Sequence, residues 1–310
     1  MSWKPVVLCP IDFSDASRGA LRYAGAIVEH FGSGLTIATI DDPLLADAED
    51  MATSAGHMAA ETRREGERFV RETFAHRPMP AVQTRFESAR GKPAAEILAM
   101  AGRTGADVIV MSSDGATNVR RLFFGSTTER VLRETTVPVL VTPSADHGPS
   151  ILADVRKRVR HIVAPVDLSP ATEGHVQVAA ALARALDVTL LLVHVVEPVR
   201  SARPGFRLIP NVDSERRDRA ERELDTQVRA LATPIKAEGL VVFGEPSEEI
   251  VKVAHDRDAG LIVIGLHATA LVGPRMGSVT YRVLCLAHVL VLALPPTTIG
   301  GDAPRVTTGD

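Results

Sequence analysis

The chain has 310 residues, 45% of them hydrophobic and 24% charged, with a net charge of −3. That length suits two domains of roughly 150 residues, each with apolar material enough for its own core. An isoelectric point near 6.4 leaves no general basic field to hold nucleic acid or an anionic membrane surface.

Val6 to Ile11 is a continuous apolar run, the pattern of a strand buried on both faces, and Asp12 follows it. Ser14 or Asp15 caps a helix whose Leu21, Ala24, Val28 and Phe31 share one face, and Gly32 and Gly34 end it. Leu35 to Ile40 is a second strand. The stretch from about Ala48 to Phe74 reads as a helix with charged pairs, stopped by Pro78 and Pro80. Val82 to Phe86 is a third strand, and Gly91-Lys92-Pro93 opens a helix that closes at Gly105. A fourth strand runs from Val108 to Met111. After a loop, a helix from Ser126 to Arg133 leads to a fifth strand, Val137 to Val141.

The order then repeats. His161 to Val166, ending on Asp167, copies the first strand and its Asp, and Ser169-Pro170 is a helix start with proline at the first position. Leu190 to Val196 is the second strand of this half. A charged helix follows from Arg216 to Leu231, and Val241-Val242 begins the third strand. Gly244-Glu245-Pro246 echoes Gly91-Lys92-Pro93. Leu261 to Ile264 and Val289 to Leu294 are the fourth and fifth strands, with Gly277-Ser278 opening the helix between them as Gly125-Ser126 does in the first half. Helices alternating with buried strands imply parallel sheets with right-handed crossovers and ligands at the carboxyl ends of the strands. Asp12 and the loop after Met111 both fall there. The expected units are 1–145 and 161–296, with 146–160 as linker and 297–310 as a disordered tail. The run Arg156-Lys157-Arg158-Val159-Arg160 is read as a solvated linker face.

Chemistry concentrates in the loop after the fourth strand. Ser112-Ser113-Asp114-Gly115 is followed at a distance by Gly125-Ser126-Thr127-Thr128. Glycines let main-chain N–H groups approach phosphate oxygens, and a helix opening at Ser126 offers unpaired donors and its positive dipole end. The hydroxyls of Ser126, Thr127 and Thr128 can add bonds, and Arg120 and Arg121 can screen phosphate charge. The same residues admit a ligand-free reading, since Ser126 to Glu129 also spells a capping box. There is no P-loop, dinucleotide-fold glycine motif, nucleophile elbow or zinc signature. His194 reads as a hydrogen-bonded strand residue and His267 as a solvated loop residue.

With its Gly-x2-Gly-x9-Gly-(Ser/Thr) pattern carried by Gly115, Gly125 and Ser126, Ser112 replacing the first glycine, and Asp12 ending the first strand, the chain resembles the universal stress protein family in its tandem form. The resemblance implies two Rossmann-like α/β domains of the adenine nucleotide alpha hydrolase-like type. Each would be a five-stranded parallel sheet of order 3-2-1-4-5 with helices on both faces. It implies ATP as ligand, with phosphates on the glycine loop, Asp12 near the ribose or a Mg²⁺ ion, and the Ile40 backbone facing the adenine. The implied nucleotide residues of the first half are Pro10, Asp12, Ile40, Ser112, Gly115, Gly125, Ser126 and Thr127. In the second half they are Pro165, Asp167, Val195, Gly265, Gly277, Ser278 and Val279, with Ala268 in place of a glycine and a shortened loop holding Gly273-Pro274. Nucleotide is therefore expected mainly in the first half. The expected function is a stress or regulatory protein using ATP as a ligand, with no dedicated catalytic residue. The alternatives are an interaction scaffold without nucleotide and a weak Mg²⁺-dependent ATPase.

The two halves are expected to pack as an intramolecular pseudo-dimer through their fifth strands, which would otherwise be apolar edges. A further homodimer is possible; no nucleic acid or membrane partner is expected. Cys9 and Cys285 lie in apolar runs and read as buried free thiols of a reducing compartment. The longest apolar stretch, Val188 to Val196, is about half a membrane span, and the N-terminal residues lack a signal-peptide apolar core. The expectation is a cytoplasmic location.

Overall fold

The computed structural model describes residues 4–41, 55–75, 83–113, 125–143, 148–149, 152–169, 172–198, 212–231, 235–266 and 276–296. Its first half runs β1 (Val7–Pro10), α1 (Asp15–Phe31), β2 (Leu35–Asp41), α2 (Ala55–Thr73), β3 (Thr84–Arg90), α3 (Pro93–Thr104), β4 (Val108–Ser112), α4 (Ser126–Glu134) and β5 (Val139–Thr142). A short helix, α5 (Leu152–Arg158), leads into the second half: β6 (His161–Pro165), α6 (Glu173–Leu186), β7 (Thr189–Val196), α7 (Val212–Ala230), β8 (Ala237–Phe243), α8 (Pro246–Asp256), β9 (Leu261–Gly265), α9 (Ser278–Leu286) and β10 (Leu290–Leu294).

Among the described residues the strands form one ten-stranded sheet in the order β3-β2-β1-β4-β5-β10-β9-β6-β7-β8. Each half is parallel within itself, and its strands run 3-2-1-4-5 in chain order. The central strands carry apolar residues on both faces because helices cover both. Val7, Leu8 and Cys9 of β1 and Ile162, Val163 and Ala164 of β6 are fully buried. One face packs on α1, α2, α6 and α7, the other on α3, α4, α8 and α9. The edge strands β3 and β8 are half-open, as their mixed sequences allow.

The halves meet edge to edge. β5 and β10 pair antiparallel, Val141 opposite Val291, Leu140 opposite Leu292 and Val139 opposite Ala293. Each is the strand that would otherwise leave unpaired N–H and C=O groups beside apolar side chains. The antiparallel sense follows from relating two like domains by an approximate twofold axis at the seam.

Local signals set most element ends. Ser14 caps α1 by accepting from the Ser17 N–H at 3.1 Å, and Gly32 closes it at φ 56°. The strand and helix ends differ from expectation by a few residues. β3 starts at Thr84 and continues to Arg90, because its pairing with β2 extends as far as Asp41. α6 opens at Glu173 rather than beside Ser169; Pro170 lies outside the described residues, and the Ser169 carbonyl accepts from the Thr172 N–H and hydroxyl instead. The described part of the charged helix expected from Ala48 is α2, and 297–310 also lie outside the described residues.

The stretch expected as a linker contains α5, which packs on α1. Gly148 has φ 75°, and a Cβ there would stand 2.7 Å from the Gly19 carbonyl oxygen, so only glycine lets this segment lie on α1. Two of its basic residues are paired, Lys157 with Asp154 on the same helix at 3.8 Å and Arg160 with the sequence-distant Asp258 at 3.1 Å. Both cysteines are free thiols, Cys9 buried as expected but Cys285 only half-buried, against the expectation of burial. Burial holds the Cys9 thiol protonated, far above its ordinary range.

Candidate functional site

The first-half crevice lies at the carboxyl ends of β1 and β4, neighbouring strands paired through Val7–Val108 and Leu8–Ile109. Pro10 ends β1, half-buried, and the chain turns sharply two residues later. Phe13 holds φ 62°, a left-handed conformation unusual for a bulky side chain. The turn leaves Asp12 exposed at the crevice, its Oδ1 accepting from the Ser14 N–H at 3.1 Å and hydroxyl at 2.5 Å. Phe13 itself packs inward, edge-on to Phe69 at 5.7 Å, and the Arg18 guanidinium lies over the Phe69 ring, 4.3 Å from its centroid. β1 stops opposite Ala38, so Ile40 of β2 runs two residues beyond its last partner in β1. Its main chain therefore borders the crevice, not another strand on that side.

The helix start is built by three hydrogen bonds between sequence-distant groups. The Ser113 N–H donates to the Thr142 carbonyl at 2.9 Å, which continues the β4–β5 ladder by one residue. The Gly125 N–H then donates to the Ser113 carbonyl at 2.9 Å, and the Thr128 hydroxyl to the Ser112 carbonyl at 3.0 Å. These clamp the first turn of α4 onto the end of β4. Gly125 is the N-cap residue, and no side chain caps the helix. Glu129 turns away from the helix start and takes Arg133 at 2.7 Å. The capping box spelled by the sequence is thus not formed. The N–H groups of Ser126, Thr127 and Thr128 have no acceptor among the described residues. They make an anion-ready turn, since the first N–H groups of a helix have no partner within it. The Thr128 hydroxyl, counted in the sequence as a ligand donor, is committed to Ser112 and unavailable. Ser126 is exposed and Thr127 half-buried. Ser112 is buried and outside the positive-φ region, so a Cβ at this position introduces no backbone strain. Gly115, Arg120 and Arg121 lie outside the described residues.

The second half repeats the backbone plan, but the Ser169 hydroxyl makes neither the carboxylate bond nor the helix cap that the Ser14 hydroxyl makes. Leu168 holds φ 61° where Phe13 does, and Asp167, exposed, accepts from the Ser169 N–H at 2.9 Å. The Leu266 N–H donates to the Leu294 carbonyl at 2.8 Å, the Gly277 N–H to the Leu266 carbonyl at 3.1 Å, and the Thr280 hydroxyl to the Gly265 carbonyl at 2.9 Å. The N–H groups of Ser278, Val279 and Thr280 likewise have no acceptor among the described residues, at a start no side chain caps. Pro165 ends β6 opposite Val193, and Val195 runs past it as Ile40 does past Pro10. Val279 supplies its N–H but no hydroxyl where Thr127 has one. Ala268, His267 and Gly273-Pro274 lie outside the described residues.

Three further differences separate the crevices, and sequence reasoning missed these. At the neighbouring helix start, Lys92 is the N-cap of α3 with no capping bond, and its counterpart Glu245 caps α8 through its own carboxylate. Glu245 also takes the Ser247 hydroxyl and Arg282 at 3.0 Å, and Arg282 reaches Glu248 at 3.3 Å. Burial pushes the Glu245 carboxyl up, but these hydrogen bonds and Arg282 together hold it below its ordinary value. The first half has Ala95 in place of Glu248, so its rim lacks both carboxylates. The third difference is His175, buried in α6 where α1 has Ala20. Its signal was legible as a polar residue in the apolar series His175, Val176, Ala179, Ala180, Ala183. His194 fulfils the reading given to it: its Nδ1 lies 2.9 Å from the Val166 carbonyl oxygen. No group of three or more metal-ligating side chains occurs among the described residues.

The model of the universal stress protein family matches residues 5–143 and again 158–295. Universal stress protein MJ0531 of Methanocaldococcus jannaschii is 29% identical over 139 residues, covering 45% of this chain and 81% of that protein. Universal stress protein A homolog 1 of Coxiella burnetii is 28% identical over 138 residues, 44% of this chain and 95% of its own length. Over nearly the whole chain, the crystal structure of a universal stress protein from Archaeoglobus fulgidus superposes with a TM-score of 0.65 at 16% identity, covering 94% of this chain and 98% of that one. No helix among the described residues is long and apolar enough to cross a membrane.

Proposed function

This chain belongs to the universal stress protein family, and on that footing we propose that its first half binds ATP as a regulatory ligand. One observation carries the reading: the unpaired N–H groups of Ser126, Thr127 and Thr128 at the mouth of the β1–β4 crevice. Three convergent main-chain donors and a helix dipole suit the triphosphate tail. Gly115, on the loop before them and outside the described residues, is the glycine that the family pattern assigns to the phosphates. Ile40, running past the end of β1, offers its main chain to the adenine edge, and Pro10 lines the crevice beside it. Asp12 takes the ribose hydroxyls or a Mg²⁺ ion carried in with the phosphates. Its Oδ1 is held by Ser14, which fixes the carboxylate's orientation toward the ribose or the ion.

The second crevice offers the same donors, on Ser278, Val279 and Thr280, beside Pro165, Asp167, Val195, Gly265 and Gly277. It is less favourable to an anion because Glu245 and Glu248 stand on its rim. We propose the two units as 1–145 and 161–296, as read from the sequence. ATP here is a bound signal and not a consumed substrate, so the expected consequence of binding is a changed surface.

The test is direct. Protein purified without added nucleotide is extracted with acid, and the extract is chromatographed for adenine nucleotide. The nucleotide-free chain is then titrated calorimetrically with ATP and Mg²⁺. Binding that Gly115→Val abolishes supports the reading. A chain that neither carries nor takes up adenine nucleotide is an interaction scaffold.

A further inference from the structure

The second crevice contains a buried titratable side chain that the first lacks. His175 is 4% exposed, and it follows Asp167 at the spacing by which Ala20 follows Asp12. Its Nε2 stands 2.7 Å from the Pro165 carbonyl oxygen. A carbonyl only accepts, so this bond assigns the proton of the neutral ring to Nε2 and leaves a lone pair on Nδ1. Nδ1 has no hydrogen-bond partner among the described residues. It faces Gly265, where a Cβ would lie 3.5 Å from it. Pro165 and Gly265 end β6 and β9, and the Gly265 carbonyl also receives the Thr280 hydroxyl from the first turn of α9. The imidazole, the two strand ends and the unpaired donors of α9 therefore converge on one residue.

The charged and titratable groups around the ring are few. Asp167 follows β6 and its field favours the imidazolium. His194 on β7 is bonded to the Val166 carbonyl, one residue from Pro165. Glu173 stands in the first turn of α6 itself, and β9, Leu261–Gly265, contributes none. Arg282 of α9 is engaged by Glu245 and Glu248. His267 and Arg275 belong to the loop outside the described residues. Burial lowers the pKa of His175, outweighing the opposing pulls of the Pro165 carbonyl and Asp167. The ring is thus neutral near pH 7 and turns its Nδ1 lone pair toward Gly265, at the end of β9 where the crevice opens.

The geometry points to a proton-gated anion site in the second half: an anionic oxygen of the nucleotide, seated at the start of α9, is held by N–H on Nδ1 of a protonated His175, so that binding takes up a proton. In the first half Ala20 imposes no such requirement. The inference rests on the nucleotide reading above and adds a condition to it. One site works at neutral pH, and the other joins it as the pH falls.

The full chain carrying Gly115→Val, which is expected to abolish binding at the first site, is titrated with ATP between pH 7.5 and 5.5 in two buffers of different ionisation enthalpy. Affinity at the remaining site is expected to rise as the pH falls, by up to about tenfold per unit, with uptake approaching one proton. His175→Gln, and His175→Ala as the copy of the first half, are expected to abolish that rise, leaving only the titration of ATP itself. An unchanged pH dependence in both substituted chains overturns the proposal. So does a second site that stays empty at every pH while the wild-type chain binds ATP at its first. A wild-type chain that binds no ATP at all overturns the nucleotide reading, and this proposal with it.

Discussion

Ser126→Pro separates a ligand-binding helix start from a merely structural one. Ser126 is the first residue of α4, exposed, with an N–H that no described group accepts. Proline is favoured at that position because its fixed φ is helical and the missing N–H has no partner inside the helix. Gly125 before it has φ −56° and ψ 131°, the extended conformation that a residue preceding proline prefers. The fold should therefore be unharmed, or stabilised by about 0.4–1 kcal/mol through the unfolded chain. A hydrogen bond to a charged group contributes about 1.5–3 kcal/mol. Losing one donor to a phosphate oxygen should weaken ATP binding by roughly ten- to a hundredfold. Ser126→Ala removes the hydroxyl and keeps the N–H, so its loss should be smaller. Calorimetric titration gives the affinities, and thermal melts without nucleotide give the stabilities. Full affinity in the proline variant would refute the assignment of this turn. A loss of affinity matched by a loss of stability would refute the claim that the N–H has no structural role.

Other expectations follow from the packing. Gly260→Ala should destabilise the chain by about 1–3 kcal/mol in denaturant titration, because a Cβ there would stand 2.1 Å from the Arg158 carbonyl oxygen and that backbone has nowhere cheap to move. Val141→Asp places an unpaired carboxylate in the β5–β10 seam, opposite the buried Val291, and should cost several kcal/mol and broaden or split the melting transition. His175 gives the stability a pH dependence of definite sign. Its folded pKa lies below the ordinary 6.5, so its contribution is complete above that pH and is lost as the pH falls through the lowered value. Melts of His175→Gln should lack that part of the acid destabilisation, and a wild-type melt no more acid-sensitive than the variant would contradict it. Cys9, held protonated by burial, should resist thiol reagents until the chain unfolds, whereas the half-buried Cys285 should react first.

Much of this molecule is written locally. An apolar run such as Val6 to Ile11 has no choice but a strand covered on both faces, and the same run at His161 to Val166 announces the second domain. Ser14 capping α1 and Gly32 ending it depend on neighbours a few residues away, and so the sequence alone determined them. Its repeated Asp12 and Asp167 and its Gly-Ser pairs likewise marked where the crevices lie. What the tertiary structure decided is the destination of hydrogen bonds. Ser126 to Glu129 spells a capping box, yet Gly125 became the cap. The Thr128 hydroxyl found Ser112 on β4, and Glu129 found Arg133. Local spelling cannot foresee this, because the competing acceptor arrives from a strand end fixed by the sheet. The same holds for His175. Its place on an apolar helix face is legible in the sequence, but the Pro165 carbonyl that fixes its tautomer, and the bare Gly265 opposite, come together only when β6, β9 and α6 pack.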